Sequence, residues 1–555
     1  MTETFALTDV EGELVATLEQ LNARPSDDVP FRVLLIGDWS GRRNRGLSAS
    51  SEELSAWRPL LVDRDNLDQL IARLGVKLHL PLTSDRSQSL TITFNKLDDF
   101  HPDRLFSQLE IFDSLRRTRA KLSNPKTFAE GAFEVRQWRE PARVESTSPA
   151  TPEAPPAEPV AAPSPLDENL LDQILAGDAK APTTKLSQPT EEISPEIAEL
   201  AEAAVKPYLS PDIQADQDQL IEAVDKRLAG NMKAILHHPD FQAIESAWRA
   251  LDFLVTRLDT GTDLKLYLLD ISFDEFKADL QSHEDFRSTA IYKLLVEQTV
   301  GTSGGIPWAV LAGNYIFDFV SEPRAVATGS ATDSGLIKSD FVTEPRAIAA
   351  GPLAETISLI AEEAGAPFIA GTTSHLLGCE SLAGTPDPDD WRLPLASEVE
   401  EHWKNLTAFP SADYIGFALP RFLLRLPYGK ETDPTEEFDF EELSADDDVS
   451  ARHESYLWAN PAFAVTYLLA QGFSKNGWDF RPSDALEIEG LPLHIFQRNG
   501  DSEIKPCAEA LLTVRAAKEI IDRGLMPLLS MKDSDTIRLG MFQSIAGTRL
   551  RGRWD

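Results

Sequence analysis

A serine set among glycines is the first feature of this chain that could do chemistry. Gly301-Thr302-Ser303-Gly304-Gly305 fits G-x-S-x-G, the pattern that exposes a nucleophilic hydroxyl in hydrolases. That elbow needs a strand before the serine and a helix after it, so that the turn is tight and the oxygen stands clear. Here the order is reversed. A helical stretch, IYKLLVEQTV, comes before it, and Pro307 and the strand-like WAVLAG follow. A glycine-rich connection from helix to strand accounts for the match. Phosphate chemistry fares no better: the Gly429-Lys430 pair runs into Glu431, and GDWSGRRNRG has no lysine followed by Ser or Thr. The nine histidines show no H-E-x-x-H spacing, and His237-His238 stand beside Pro239 at a helix boundary, where capping or packing is expected. Glu431 to Asp448 carries ten carboxylates and no basic residue, without the glycine-centred spacing of a calcium loop. It reads as a solvated loop or an electrostatic contact surface. No cofactor, metal or catalytic residue is expected, and the chain is read as a non-enzyme.

The elements around these motifs suggest a mixed α/β (α+β) chain. Between Pro149 and Pro165 there are seven prolines in seventeen residues, a composition that cannot bury a core and marks a boundary. Before it, FRVLLIGDWSG from Phe31 reads as a buried strand. Val76–Leu80 and Leu90–Phe94 alternate like half-buried strands, and Leu105, Leu109, Phe112 and Leu115 recur at helical spacing. After it, DENLLDQILAGD places Leu170, Leu171, Ile174 and Leu175 on one helical face with no local core to join. Two readings stand: a docking peptide for a partner's groove, or a helix that packs back on its own domain. From Gln219 helix and strand patterns alternate, as expected of a central sheet. The expected division is 1–140, a small α/β domain; 141–166, the linker; 167–230, a docking helix and helical arm; and 231–555, a larger α/β domain. The echo EPRAVA/EPRAIA, at Glu322 and Glu344, is too short to be a repeat.

Bulk properties narrow the function. The 555 residues carry 53 basic against 90 acidic side chains, a net charge of −37. Such a surface repels phosphate, so nucleic-acid binding is not expected. Cys379 and Cys507 make no disulfide framework. No signal peptide and no run of 18 apolar residues is visible, so the expectation is a cytoplasmic protein without membrane insertion.

Longer collinear stretches add up to a family pattern. PFRVLLIGDWSGR, VDRDNLDQLIARLGVKLHL and LTITFNKLDDFHPDRLFSQLEIFDSLRRTRAKL resemble the small subunit of the type VI secretion contractile sheath. LLDQIL, AILHHPDFQAIESAWRALDFLV, GGIPWAVLAGNYIFDF, APFIAG, LPRFLLRLPYGKETDPTEEFDFEE, YLWANPAF and GLPLHIF resemble its large subunit. The resemblance implies a structural part that joins further sheath subunits around an inner tube protein, meets baseplate proteins, and contracts. It also implies that Leu170, Leu171, Ile174 and Leu175 are the handle gripped by an AAA+ unfoldase. The alternative within the same system is an accessory sheath-like protein that caps or adjoins the baseplate without propagating.

Three departures from the family pattern are expected to matter. The two subunits share one chain, Thr2 to Asn22 looks weakly helical where a strand is usual, and the chain stops at FQSIAGTRLRGRWD, well before the point where the family's larger partner usually ends. Arg116, Arg117 and Arg119, with Arg549, Arg551 and Arg553, are candidate partners for Glu436, Glu437 and Asp439 on a neighbouring copy. The bland reading is arginines solvated by water.

Overall fold

A computed structural model describes residues 25, 28–81, 89–138, 211–319, 351–443, 449–498 and 501–555. The proline-rich linker, the 170–175 helix, Thr2–Asn22 and the EPRA echo lie outside these described residues.

The strands, in chain order, are β1 Phe31–Gly37, β2 Leu60–Val62, β3 Lys77–Pro81, β4 Ser89–Thr93, β5 Leu264–Asp270, β6 Val310–Phe317, β7 Phe368–Thr372 and β8 Ile415–Leu419. They continue with β9 Phe422–Leu423, β10 Trp458–Ala459, β11 Glu487–Ile488, β12 His494–Arg498, β13 Asp501–Lys505, β14 Met526–Ser530 and β15 Ile537–Leu539. Nine of them form one sheet in the order β11-β15-β14-β8-β7-β6-β1-β5-β2. The six from β14 to β5 run parallel, and antiparallel strands close both edges. Short antiparallel pairs, β3–β4, β9–β10 and β12–β13, stand outside it.

The central strands are apolar throughout because both faces of a parallel sheet are covered. In β1, FRVLLIG, Leu34 and Ile36 join the cluster that includes Leu353, Ile357 and Ile360 of helix Gly351–Ala364. On the other face Phe31 stacks on Phe473 of helix Pro461–Asn476, with ring centroids 4.7 Å apart. Register runs unbroken from Phe31↔Leu264 to Gly37↔Asp270 on one side, and from Val33↔Val310 to Ile36↔Gly313 on the other.

The sheet is not divided as the sequence is. Contacts group Met1–Asp113 with Asp225–Asp555 as one unit and Ser114–Val224 as another. A strand from residues 31–37 therefore lies between strands from residues 264–270 and 310–317. The small α/β unit expected before the linker is not a separate layer: β1 sits inside the larger sheet and β2 at its edge. Helix Pro239–Arg257 begins as its sequence suggests. His238 is the N-cap, its Nδ1 accepting the Asp240 N–H at 3.2 Å, and Pro239 occupies the first turn. The helix expected through Leu105 and Leu115 is broken at Leu109 (φ −91, ψ 125), giving Pro102–Gln108 and Glu110–Ser123.

The second unit is described by residues 114–138 and 211–224. There Gln217 Nε2 donates to the Leu122 carbonyl at 2.7 Å, and Lys121 pairs with Glu134 at 2.6 Å. Arg116 and Arg119 are half-buried and Arg117 is exposed on the helix that ends at Ser123.

Candidate functional site: a charged seam between two chain segments

Ser303 is exposed on the turn between a helical stretch ending at Glu297 and β6. A Cβ at Gly305 would come within 2.0 Å of the Thr299 carbonyl oxygen, so the close wrap of this turn accounts for its glycines. The chain's polar order lies elsewhere, where residues 31–106 meet residues 237–509.

Open parallel sheets bind ligands at the carboxyl ends of strands where the order reverses. Here the chain goes from β1 to β5 on one side and then to β6 on the other, so the reversal is at β1. Loop 38–49 of the N-terminal segment covers the ends of β1 and β5. Trp39 is fully buried, T-shaped against Trp248 at 5.7 Å, and its carbonyl accepts the Trp248 Nε1–H at 2.8 Å. Asp270, the last residue of β5, accepts from Trp39 N–H (2.8 Å), Ser40 N–H (3.1 Å) and Ser40 Oγ–H (2.8 Å). Arg42 forks onto Glu275 at 2.8 and 2.7 Å, and Glu275 also accepts from Ala49 N–H at 2.8 Å. Asp38 turns the loop by accepting the Arg42 and Arg43 N–H groups.

Burial, together with the charge of Asp38, pushes the Asp270 carboxyl up to about 6 against the three donors it accepts. A carboxyl raised above its unfolded value of 3.8 weakens the fold when ionised; that loss is relieved as pH falls from above about 6 towards 4. Asp270→Asn keeps an acceptor for the two amides and a donor for Ser40 Oγ. It is expected to be at least as stable as the parent at pH 7.5, with the advantage shrinking by pH 4.5. Thermal melts across that range test it, and a parent more stable than the variant at pH 7.5 would contradict this account of Asp270.

A second part of the seam holds the acidic stretch. Asp103 accepts the backbone N–H groups of Glu436 (3.0 Å) and Glu437 (3.1 Å), and Phe106 stacks on Phe438 at 4.6 Å. The Phe94 and Phe100 rings stack 4.1 Å apart and meet Phe241 edge-on. Arg425 is wrapped by two fully buried carboxylates. Its Nε donates to Glu245 at 2.9 Å, and its Nη1 and Nη2 to Glu442 at 2.7 and 3.0 Å. Arg249 joins Glu245 at 2.7 Å and donates to the Tyr428 hydroxyl at 2.9 Å. His237 lies 3.4 Å from Glu442. Burial alone would raise the Glu442 carboxyl; Arg425 and His237 overcome it and hold it at about 2. Part of the expected solvated loop is thus a buried anchor, while Glu436, Glu437 and Asp439 remain exposed, with Lys430 3.2 Å from Asp439.

The arginines singled out from sequence are used within the chain at its C-terminal end. Arg549 meets Asp555 at 3.1 Å and Arg551 meets Asp413 at 3.1 Å. Arg553 donates to the Ala364 carbonyl (2.9 Å) and the Trp308 carbonyl (3.2 Å). Leu170, Leu171, Ile174 and Leu175 lie outside the described residues. Sequence reasoning missed Arg42, Asp270, Glu275, Arg425, Glu245 and Glu442. The readable signals were Glu245 on the Phe241–Trp248 face of a helix and Arg425 inside the apolar run FLLRLPY.

Residues 218–546 match the VipB (EvpB) family, described as a tail sheath N-terminal domain, and residues 15–138 match the type VI secretion system VipA family. The chain belongs to the type VI secretion tail sheath family. It joins small-subunit (VipA) and large-subunit (VipB) regions in one polypeptide. The type VI secretion system sheath protein TssC1 of Pseudomonas aeruginosa is 31% identical over 359 residues, covering 63% of this chain and 66% of that relative. The chain thus spans just under two thirds of that curated relative's length. In this sheath-family chain the seam joins the two matched regions: Trp39, Arg42, Phe94 and Asp103 lie in the VipA match, and Trp248, Asp270, Glu275, Arg425 and Glu436 in the VipB match. Among the described residues no helix is long and apolar enough to cross a membrane.

Proposed function

We propose that the chain is a structural component of a type VI secretion contractile sheath, with fused small and large subunits that assemble around an inner tube and contract to eject it. It works in the cytoplasm, binds further sheath subunits, the inner tube protein and baseplate proteins, and makes or breaks no covalent bond. One observation carries the reading: strands from two sheath-subunit families interleave in a single sheet, so each chain can act as one mechanical part. Motion then belongs to interfaces between copies, which are bistable rather than continuously deformable. Negative-stain microscopy of the purified chain, alone and with the tube protein, is expected to show hollow filaments. Single particles or isolated rings under every condition would favour an accessory that binds the sheath without propagating.

Two further assignments belong to this proposal. Arg549 and Arg551 are exposed in their ion pairs, and such pairs contribute about 0–1 kcal/mol. Replacing both by Ala is therefore expected to leave the melting temperature within about 2 °C while weakening assembly, read by light scattering. Unchanged assembly would remove Arg549 and Arg551 from the contact set. Leu170, Leu171, Ile174 and Leu175 form the handle for an AAA+ unfoldase. Leu171→Asp with Ile174→Asp is expected to abolish unfoldase capture in a pull-down, and undiminished capture would refute the handle.

A further inference from the structure

We propose that Lys505 is a nucleophilic amine, a modification site that small activated acyl donors of the acyl-phosphate class convert to a neutral amide, with His453 taking up its proton. The chain is what is modified and turns over no second molecule, so this goes beyond the sheath role without competing with it. Lys505 ends β13, opposite His494 on β12. The residues after it are tied to β9: the Cys507 carbonyl accepts the Leu423 N–H at 2.7 Å, and the Arg421 carbonyl accepts the Glu509 N–H at 3.0 Å. β10 pairs with β9 and carries Trp458 to the same place. The half-buried ammonium lies 5.1 Å from the centre of the Tyr456 ring and 5.4 Å from that of Trp458, and both rings are buried. Its hydrogen bond goes to an imidazole, with Nζ 2.8 Å from His453 Nδ1. The nearby carboxylates are committed elsewhere. Glu509 meets Arg421 at 2.5 Å and His453 Nε2 at 3.5 Å, and Glu454 meets Arg421 at 3.3 Å.

A lysine attacks only as the uncharged amine, and apolar surroundings favour that form. Nδ1 accepts from Lys505, so the ring N–H is on Nε2 and faces Glu509. A proton passed from Lys505 to His453 therefore leaves an imidazolium beside a carboxylate. Burial pushes the Lys505 amine down to about 8, against the opposite pull of Glu509 and Glu454. At pH 7.5 roughly a quarter of such amines are uncharged, against about one in a thousand ordinary lysines. In the reaction the Nζ lone pair forms a C–N bond to the acyl carbonyl carbon. The C–O bond to phosphate breaks, phosphate leaves with that electron pair, and the amine proton goes to His453 Nδ1 and on to water. The product carries no charge, and this selects the donor. A carbamate formed from carbon dioxide would bring a new negative charge near Glu509 and Glu454, whereas a neutral acyl group suits the walls made by Tyr456 and Trp458.

The full chain is exposed briefly to acetyl phosphate between pH 6.5 and pH 10, and acetylation at each lysine is followed by mass spectrometry. At pH 7.5 Lys505 is expected to react at least fivefold faster than Lys77 and Lys532, which are exposed. Its rate is expected to level off above about pH 8, while theirs keep rising past pH 9. His453→Gln keeps an acceptor near the amine but takes up no proton; it is expected to slow Lys505 at least threefold at pH 7.5 and to leave Lys77 and Lys532 unchanged. Lys505→Arg keeps a cation over the two rings and is expected to erase the fast signal. A Lys505 that reacts no faster than the two exposed lysines, or still accelerates past pH 9, overturns the nucleophile. A His453→Gln chain that acetylates at Lys505 as fast as the parent overturns the proton route. The parent alone supplies the rate comparison and the pH profile, so a variant that failed to fold would leave the test standing.

Discussion

Leu35→Asp is expected to unfold the C-terminal segment as well as the strand that carries it. Leu35 is 1% exposed at the centre of β1, with Leu268 beside it on β5 and Ala312 on β6. A carboxylate there has no partner, and burying an unpaired charge costs well over 4 kcal/mol. That is a large part of the 5–15 kcal/mol by which domains are stable. The loss cannot stay local. Without β1 the edges of β5 and β6 face each other across an empty strand position, and Phe473, Trp248 and Trp478 lose their partners Phe31 and Trp39. The expected result is loss of soluble protein, with β5 and β6 as protease-sensitive as β1. Leu61→Asp, on the half-exposed face of edge strand β2, serves as the control and is expected to cost less than about 1 kcal/mol. A Leu35→Asp chain whose residues 264–317 resist protease like the parent would show that the two segments fold independently.

Arg425→Met is the second large effect. It leaves Glu245 and Glu442, both fully buried, short of the cation that both of them bind. Removing one member of a buried ion network costs about 3–5 kcal/mol because the remaining charge is stranded. Arg249 still reaches Glu245, and His237 lies near Glu442, so the cost falls chiefly on Glu442. The sign with pH follows from its depressed pKa. Held at about 2 in the fold against 4.5 when free, Glu442 stabilises the parent above pH 4.5, and that contribution is lost as pH falls through about 2. The gap between parent and variant is therefore expected to be widest near neutrality and to narrow below pH 4.5. Adding Glu442→Gln to Arg425→Met removes the stranded charge and is expected to recover a substantial part of the loss. Urea melts of the four proteins in this cycle measure the coupling, and additive effects would show that Arg425 and Glu442 do not act as a pair.

Much of the sheet was legible because its strands carry continuous apolar runs. VLLI, LKLYLLDI, PFIAG and the run near Tyr414–Leu419 all became strands of the central sheet. What periodicity cannot reveal is which strand lies beside which. The linker suggested two separate bodies, but residues 31–37 pair with residues 264–270, more than two hundred positions away, and no local pattern marks that choice. The same blindness hid the seam. Asp38, Arg42, Asp270 and Glu275 are ordinary in their own stretches and become a network only when β1 and β5 are adjacent. Glu442 sits among carboxylates that stay exposed, and nothing in the run EEFDFEE singles it out before Arg425 is placed against it. The break at Leu109 was likewise invisible, since helical spacing continues on both sides of it.

The account stands on the two subunit-like regions forming one cooperative body. Hydrogen exchange of the full chain, followed in peptides covering 31–37, 264–270 and 310–317, tests this directly. Core amides that open only with global unfolding share one exchange free energy. The three strands are expected to exchange together, as slowly as any part of the protein, and to respond equally to low concentrations of urea. A β1 peptide that exchanges orders of magnitude faster than β5 and β6, in a chain otherwise folded, would contradict it.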